Sequence, residues 1–222
     1  MARIARVVAV NYPHHVTQRG NRRQLTFFNQ NDYQTYFYLL VGAKDKANVD
    51  VWAYCFMPNH VHLIVVPRHK DSLSQLFGEA HRRYTRQINQ REGWRGHLWQ
   101  ERFHSFVMDE EYLRAAVRYT ELNPVRAGLC KTPFDWKWSS ALAHIQRKND
   151  DLVSVAPMLE RISDWQSYLG TTEGVGVIDN IRLHSRTGRP IGDTDFVSQL
   201  ENTMDRPLRR RKPGPPKAGD SK

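Results

Sequence analysis

The stretch Met57-Pro58-Asn59-His60-Val61-His62-Leu63-Ile64-Val65-Val66-Pro67 decides how this chain folds. Pro58 and Pro67 bound this stretch, and the residues from Val61 to Val66 are mostly apolar and β-branched. This composition is typical of a strand. Because side chains alternate along a strand, His60 and His62 share one face, while the face with Val61 and Val65 enters a core. Two imidazoles about 6–7 Å apart on one strand face can bind a divalent metal ion. A pair of solvated or hydrogen-bonded histidines explains this pattern equally well.

The composition favours a polyanionic partner. The 222 residues include 33 lysines and arginines against 23 acidic residues, a formal net charge of +10. This charge on an aromatic-containing chain indicates nucleic acid first and an anionic membrane surface second. The sequence has no run of 18 apolar residues and no leader-like start, so we expect no membrane partner and a cytoplasmic, nucleoid-associated protein. Cys55 and Cys130 form no metal-binding motif and are expected to be free thiols.

The first half of the chain begins with a strand, a helix and a second strand. Residues 14–19 and 49–56 are the predicted strands, and a helix capped by Asn29 or Asn31 should run between them to about Ala47. Only a short connection separates the second strand from the histidine strand. These two strands should therefore be antiparallel neighbours.

Two further helices flank a predicted fourth strand. We predict a helix over 72–91 and a strand over 98–107, in which aromatic and basic side chains alternate. Asp109 should cap the next helix, and Pro124 should stop it, because the residue before a proline avoids helical angles. This order of elements predicts an α+β fold with helices packed on an antiparallel sheet.

After about residue 148 the sequence contains short helical patterns and little that indicates strands. We predict an α+β domain over 1–148, a small helical extension over 149–205 and a tail over 206–222. The tail contains seven basic residues and one acidic residue, together with prolines and glycines. Such a segment is disordered when free and binds phosphates non-specifically.

Three motifs, in this order, closely resemble the single-tyrosine transposases that carry a His-hydrophobic-His motif. They are Met57-Pro58-Asn59-His60-Val61-His62, Trp99-Gln100-Glu101-Arg102-Phe103 and Arg118-Tyr119-Thr120-Glu121-Leu122-Asn123-Pro124-Val125-Arg126-Ala127-Gly128. More narrowly, the chain resembles the branch associated with repetitive extragenic palindromes (REPs) in bacterial genomes. The resemblance is strong over residues 10–145, and the segment 187–193 is similar to C-terminal extensions of some members. It implies the ferredoxin/RRM-like core of His-hydrophobic-His nucleases.

The resemblance also implies an activity. The family cuts single-stranded DNA hairpins with a tyrosine nucleophile and a Mg²⁺ or Mn²⁺ ion, forms a 5′-phosphotyrosine and rejoins the strand. His60 and His62 match its metal-binding pair, and Tyr119 matches the nucleophile. Asn123 stands where related enzymes have a third ligand, and only its amide oxygen can serve. Members include monomers and swapped dimers, so either a monomer or a homodimer is compatible with the resemblance.

We also expect a surface that holds the DNA. Arginines near the motifs should contact phosphates, and aromatic residues should stack on exposed bases. The candidates are Arg19, Arg22, Arg23, Arg82, Arg83, Arg86, Trp99, Arg102, Phe103 and Arg126.

Other interpretations compete with this one. The main alternative is a non-catalytic, domesticated DNA-binding regulator with the same fold, because composition does not separate it from the enzyme. A metal-dependent hydrolase that uses a water nucleophile would need more carboxylates near the histidines. A closed zinc site usually needs four Cys or His ligands, and only two align here. Tyr119 on its own would be read as a core aromatic, while Tyr84 and Tyr112 rival it as nucleophiles by residue type only.

Overall fold

The computed structural model describes residues 5–171 and 175–209. Its centre is a four-stranded antiparallel sheet. Its strands, in the spatial order β2-β3-β1-β4, are β1 (His14–Arg19), β2 (Val49–Met57), β3 (His60–Pro67) and β4 (His104–Val107). The helices of the described chain are α1 (Gln30–Lys44), α2 (Ser72–Glu92), α3 (Glu110–Glu121), α4 (Asn123–Arg126), α5 (Ala141–Ile145), α6 (Ala156–Leu159), α7 (Trp165–Gly170), α8 (Val175–Thr187) and α9 (Thr194–Met204). The predicted α+β class is confirmed. No helix in this part of the chain is long and apolar enough to cross a membrane.

The histidine strand lies in the middle of the sheet. It pairs with β2 in a tight hairpin in which Met57 faces His60, so only Pro58 and Asn59 form the turn. Its other edge pairs with β1, where Arg19 faces His60 and Thr17 faces His62. The predicted antiparallel neighbours are therefore found, and β3 is a central strand.

Helices cover both faces of the sheet. The face with Val61 and Val65 packs under α1 and α2, as the alternation in β3 predicts. The opposite face, which holds Ile64 and Phe106, packs with α3, the helix of Tyr119, and with helices from the last third of the chain. Both faces are consequently apolar, and the histidines lie at the end of a buried face instead of on a solvated one.

Three element boundaries differ from the sequence-based expectation. The strand predicted over 98–107 is regular only from His104, because Glu101 adopts a left-handed conformation (φ 57°) and interrupts the ladder. The first helix ends at Lys44, before Asn48, which has φ 50°. The third helix ends at Glu121, and Pro124 lies inside the separate short helix α4.

The C-terminal helices contribute to the same core. Trp165, Leu169 and Ile181 are buried in one cluster with residues of β3 and α3. The tail predicted from residue 206 begins in packed structure: Leu208 is buried beside Val7 and Leu200, and the Arg209 guanidinium lies 2.8 Å from a Glu201 carboxylate oxygen. The remainder of the predicted tail, residues 210–222, lies outside the described residues.

Candidate active site: two histidines beside a helix-terminal tyrosine

The two motif histidines lie side by side at the start of β3. Their ring centroids are 4.9 Å apart, as their alternation along one strand predicts. His62 is only 5% exposed, and His60 is partly buried. Burial lowers the pKa of His60 to about 3, with a further contribution from the Arg19 charge, and lowers the pKa of His62 well below its usual value. Both rings are therefore neutral at neutral pH, which is the form that binds metal ions.

Asn59 fixes the orientation of the His60 ring. The Asn59 amide nitrogen donates to the Arg23 carbonyl (3.1 Å), so its oxygen Oδ1 faces His60 Nδ1 at 2.6 Å. Because Oδ1 only accepts, Nδ1 must carry the proton of the neutral ring. The lone pair of His60 is then on Nε2, which is available to a ligand.

His62 is held by a third histidine that the sequence analysis missed. His15 Nε2 lies 3.0 Å from His62 Nδ1, and the two rings are nearly coplanar (8°). Burial lowers the pKa of His15 to about 3, so this pair is neutral as well. His62 Nε2 is buried with no hydrogen-bond partner. An orphaned ring nitrogen of this kind fits a metal site, because buried polar atoms are normally satisfied.

Tyr119 lies against the histidines. It occupies the last turn of α3, and its ring centroid is 5.6 Å from that of His62 and 6.2 Å from that of His15. The side chain is 9% exposed, and the Arg126 guanidinium lies 4.6 Å above the ring centroid. The nucleophile candidate and the histidine pair, 57 residues or more apart in sequence, are thus brought together.

Asn123 follows Tyr119 by one helical turn. Its amide nitrogen donates to the Tyr119 carbonyl at 2.8 Å, which leaves Oδ1 as the atom that can act as a ligand. Across residues 5–171 and 175–209, no group of three or more His, Cys, Asp or Glu side chains is arranged to hold a metal ion. The rings of His62 and His15 lie beside the Tyr119 ring, whereas the Asn123 side-chain amide donates to backbone carbonyls of the same helix end.

The arginines and aromatic residues expected to contact DNA form two groups in the structure. Arg19, at the exposed end of β1, and Arg126 lie beside the histidines and Tyr119. Arg22 and Arg23 are exposed on the adjacent turn, where both have left-handed backbone angles (φ 53° and 61°). Strained non-glycine residues of this kind concentrate at functional sites.

The second group lies on the α2 face of the sheet. Arg82, Arg83 and Arg86 are exposed on α2, and the first two lie near Glu79. Trp99 and Phe103 are each only 7% exposed, so neither presents an open ring face for a base. Both line a cleft of about 520 Å³ between α2 and the segment before β4, with Arg82 and Arg102 among its walls.

A side chain from α8 also reaches the site. Arg182 lies near Tyr119, and the interaction with the Tyr119 side chain is the main reason that the pKa of Arg182 is raised. No local sequence motif marks this residue. His15 could have been suspected from its place in a predicted strand, but its partner depends on the register of β1 against β3.

This fold and this site define a class of protein in which two histidines on a central strand lie beside one tyrosine at the end of a helix. The model of the family "Transposase IS200 like" matches residues 7–123, more than half of the chain, and the protein belongs to this family.

Two curated relatives are similar to this chain in sequence, and one solved structure is similar in fold. The chain is 26% identical over 126 residues to the REP-associated tyrosine transposase of Escherichia coli K12, spanning 56% of this chain and 72% of the relative. It is 27% identical over 99 residues to a protein of Haemophilus influenzae named as a candidate REP-associated tyrosine transposase, spanning 40% and 56%. A solved REP-associated tyrosine transposase bound to a REP hairpin shares the fold, with a TM-score of 0.54, 22% identity and coverage of 69% of this chain and 92% of that one.

Proposed function

We propose that this transposase cleaves and rejoins single-stranded hairpin DNA, with Tyr119 as the nucleophile. The observation that carries the proposal is the position of Tyr119, whose ring lies 5.6 Å from that of His62 at the end of a helix. Tyr84 is a poor rival because it is fully buried and its hydroxyl donates to the Thr26 carbonyl. Tyr112 lies in the first turn of α3, more than one turn before Tyr119, and its hydroxyl accepts a hydrogen bond from Asn180.

The reaction is a transfer of one phosphodiester linkage. The Tyr119 hydroxyl loses its proton and its oxygen bonds to the scissile phosphorus, while the bond from phosphorus to the 3′ oxygen breaks. That oxygen takes up a proton and leaves as a 3′-hydroxyl, and the DNA remains attached as a 5′-phosphotyrosine. The covalent link conserves the phosphodiester energy, so the 3′-hydroxyl of another strand can reverse the step without ATP.

Three side chains would hold the Mg²⁺ or Mn²⁺ ion of this reaction. They are His60 and His62, through their Nε2 atoms, and Asn123, through its amide oxygen. When bound, the ion supplies positive charge that neutralises phosphate oxygens and orients the phosphorus for in-line attack. Asn59 and His15 support the ligands by fixing the two rings.

The DNA would be held by the two basic groups. Arg19, Arg22, Arg23 and Arg126 surround the site where the cleaved linkage must lie. The cleft on the α2 face is lined by Trp99, Phe103, Arg82 and Arg102, and its basic walls suit contacts to phosphates. A hairpin substrate is supported by the solved relative that carries a REP hairpin.

A covalent adduct tests this function. We expect wild-type protein with labelled single-stranded hairpin DNA and Mn²⁺ to form a product that stays attached to the protein on a denaturing gel. The adduct should disappear with EDTA, and also in Tyr119→Phe and His60→Ala, while Tyr119→Phe still binds the hairpin. His69→Ala, at an exposed histidine away from the site, is the matched control and should retain the adduct.

The gel also separates the competing functions. Hairpin binding without any covalent product in the wild-type protein would indicate a regulator that has kept the fold. Cut DNA with no protein attached would indicate a hydrolase with a water nucleophile. Either result would contradict the proposal.

A further inference from the structure

Two large aromatic side chains in contact with each other are exposed on the surface near the start of β3. Phe28 is 38% exposed and Trp94 is 42% exposed, and their ring centroids lie 5.7 Å apart in an edge-to-face arrangement. By contrast, Trp99 and Phe103, the aromatic residues that the sequence suggests for base stacking, are almost fully buried. Contiguous exposed apolar side chains, unlike single ones, indicate an interaction site. We call Phe28 and Trp94 the aromatic pair.

Hydrogen bonds hold the aromatic pair in place. In the loop after α2, the Trp94 backbone amide donates to the Asn89 carbonyl at 2.9 Å. The Asn89 side-chain amide donates to the Gly96 carbonyl at 2.9 Å, so Asn89 fixes the loop on both sides of Trp94. The Phe28 backbone amide donates to the buried Asp32 carboxylate at 2.8 Å. A partner therefore meets rings that are already positioned, which lowers the entropic cost of binding.

The aromatic pair lies next to the histidine end of the candidate site. The backbone amide of Phe27 donates to the Pro58 carbonyl at 3.1 Å, and Phe28 follows directly in the chain. Pro58 and Asn59 form the turn before His60, and Asn59 orients the His60 ring. The segment that carries Phe28 is thus hydrogen-bonded to the turn that carries the first histidine.

Positive charge surrounds the aromatic pair. The segments 19–28 and 91–97, which carry the two rings, contain five arginines and one acidic residue. All five of these arginines are exposed, namely Arg19, Arg22, Arg23, Arg91 and Arg95. The Arg91 guanidinium is ion-paired with Asp32 and lies 5.5 Å from the Phe28 ring centroid. Aromatic rings among exposed cations are complementary to single-stranded nucleic acid, which offers both phosphates and unpaired bases. A second copy of this chain would bring the same positive charge to the contact.

We propose that the aromatic pair binds unpaired bases of single-stranded DNA beside the hairpin stem. This inference rests on the proposed function, in which the cleaved linkage lies in single-stranded DNA at the two histidines. Nucleotides next to that linkage then cross the adjacent surface, where Arg22 and Arg23 contact phosphates and the rings of Phe28 and Trp94 stack on bases. Because every base has a flat face, such a contact positions the strand whatever its sequence.

Hairpin binding by proteins that cannot cleave tests the assignment. In the Tyr119→Phe background, Trp94→Ala should weaken the binding of a hairpin with single-stranded flanks about tenfold, as expected for the loss of one stacked base. The affinity for the same stem and loop without flanks should change less than about twofold, because no unpaired base then reaches Trp94. Trp94→Phe retains a ring and should bind the flanked hairpin more tightly than Trp94→Ala does. Tyr38→Ala removes a more exposed aromatic side chain (54%) from α1 and is the matched control, which should bind like the Tyr119→Phe parent.

Crosslinking identifies the contact directly. Iodinated uracil placed in the flank should crosslink to Trp94 under ultraviolet light. Trypsin should then release residues 92–95, in which Trp94 is the single aromatic residue, with the nucleotide attached. Crosslinks to other peptides alone, or an equal loss of affinity in Tyr38→Ala, would overturn the assignment. So would an unchanged affinity of Trp94→Ala for the flanked hairpin, and dimerisation that depends on Trp94 while DNA affinity does not would assign the aromatic pair to a contact between copies of this chain.

The failure of this inference is distinguishable from the failure of the proposed function. A wild-type protein that forms no covalent adduct, but whose Trp94 still crosslinks to the flank, would contradict cleavage by Tyr119 and support the aromatic pair. A wild-type protein that forms the adduct, with no effect of Trp94→Ala on flanked or unflanked DNA, would contradict the aromatic pair alone.

Discussion

The histidines of the site are held by neighbours of different kinds. His60 is oriented by Asn59, the residue before it, whereas His62 is oriented by His15 on the adjacent strand. Strand alternation is enough to predict that His60 and His62 share a face. It does not predict His15, because that contact requires the register in which His15 faces Ile64. The proximity of Arg182 to Tyr119 could not be predicted either, because it depends on how α8 packs against α3.

His14, next to His15, makes a prediction about stability and pH. Its ring is fully buried; Nδ1 donates to the Tyr12 carbonyl at 2.8 Å, and Nε2 accepts from the Ala9 amide at 3.1 Å. Burial lowers its pKa to about 4, so the unfolded chain binds one more proton between about pH 6.5 and 4. The free energy of unfolding should fall through this range as the pH falls.

Urea titrations from pH 7 to 4 measure this contribution. His14→Gln removes the group, so its unfolding free energy should depend less steeply on pH than that of the wild type, by up to about 1.4 kcal/mol per pH unit. Other buried histidines contribute equally to both proteins and cancel in the difference. Equal slopes in the two proteins would contradict a neutral, buried His14.

At the scale of elements, the end of α3 determines where the nucleophile lies. Asp109 caps the start of the helix, as the sequence predicts, with its carboxylate accepting from the Tyr112 amide at 2.9 Å. Near the other end, Glu121 is fully buried and accepts hydrogen bonds from Ser140 (2.5 Å), His144 (2.7 Å) and the Trp165 indole (2.9 Å). The sequence does not reveal this cluster, because a glutamate on an amphipathic helix normally faces water.

Removal of the Glu121 carboxylate should be costly. Glu121→Ala leaves the buried His144 and Trp165 donors without an acceptor, while the Ser140 hydroxyl can still donate to the Tyr54 carbonyl, so we expect a loss of about 3–5 kcal/mol in the free energy of unfolding. Glu110→Ala is the matched control in the exposed first turn of the same helix, where its partners are Arg114 and Arg161, and it should cost about 1 kcal/mol or less. Chemical denaturation measures both, and similar losses in the two variants would contradict the role of Glu121.

On the scale of the whole molecule, one sheet is covered on both faces and the last third of the chain completes the second face. After residue 148 the sequence shows short helical patterns with little that indicates strands, and helices are found there. Their burial against β3 and α3 was not foreseen, because short helical patterns do not indicate what they pack against. The fold class could be predicted from two patterns: the apolar stripes of α2 and α3, and the alternation of side chains in β3.

The net charge of +10 makes a prediction about DNA affinity. Deletion of residues 210–222 removes five basic residues and one acidic residue. If each basic residue displaces a counterion, the slope of log affinity against log salt should become shallower by up to about 3–4 units for single-stranded DNA. Salt titrations of hairpin binding by full-length and shortened Tyr119→Phe protein measure the change, and identical slopes would exclude a role for this segment in binding.

The central claim is that Tyr119 becomes bonded to DNA, and peptide mapping of the adduct tests it most directly. Trypsin should cut after Arg118 and Arg126 and release residues 119–126, which contain a single tyrosine. After nuclease trimming of the DNA, mass spectrometry should find the nucleotide on this peptide. A nucleotide on a peptide with Tyr84 or Tyr112, or cleaved DNA with no modified peptide, would contradict the account.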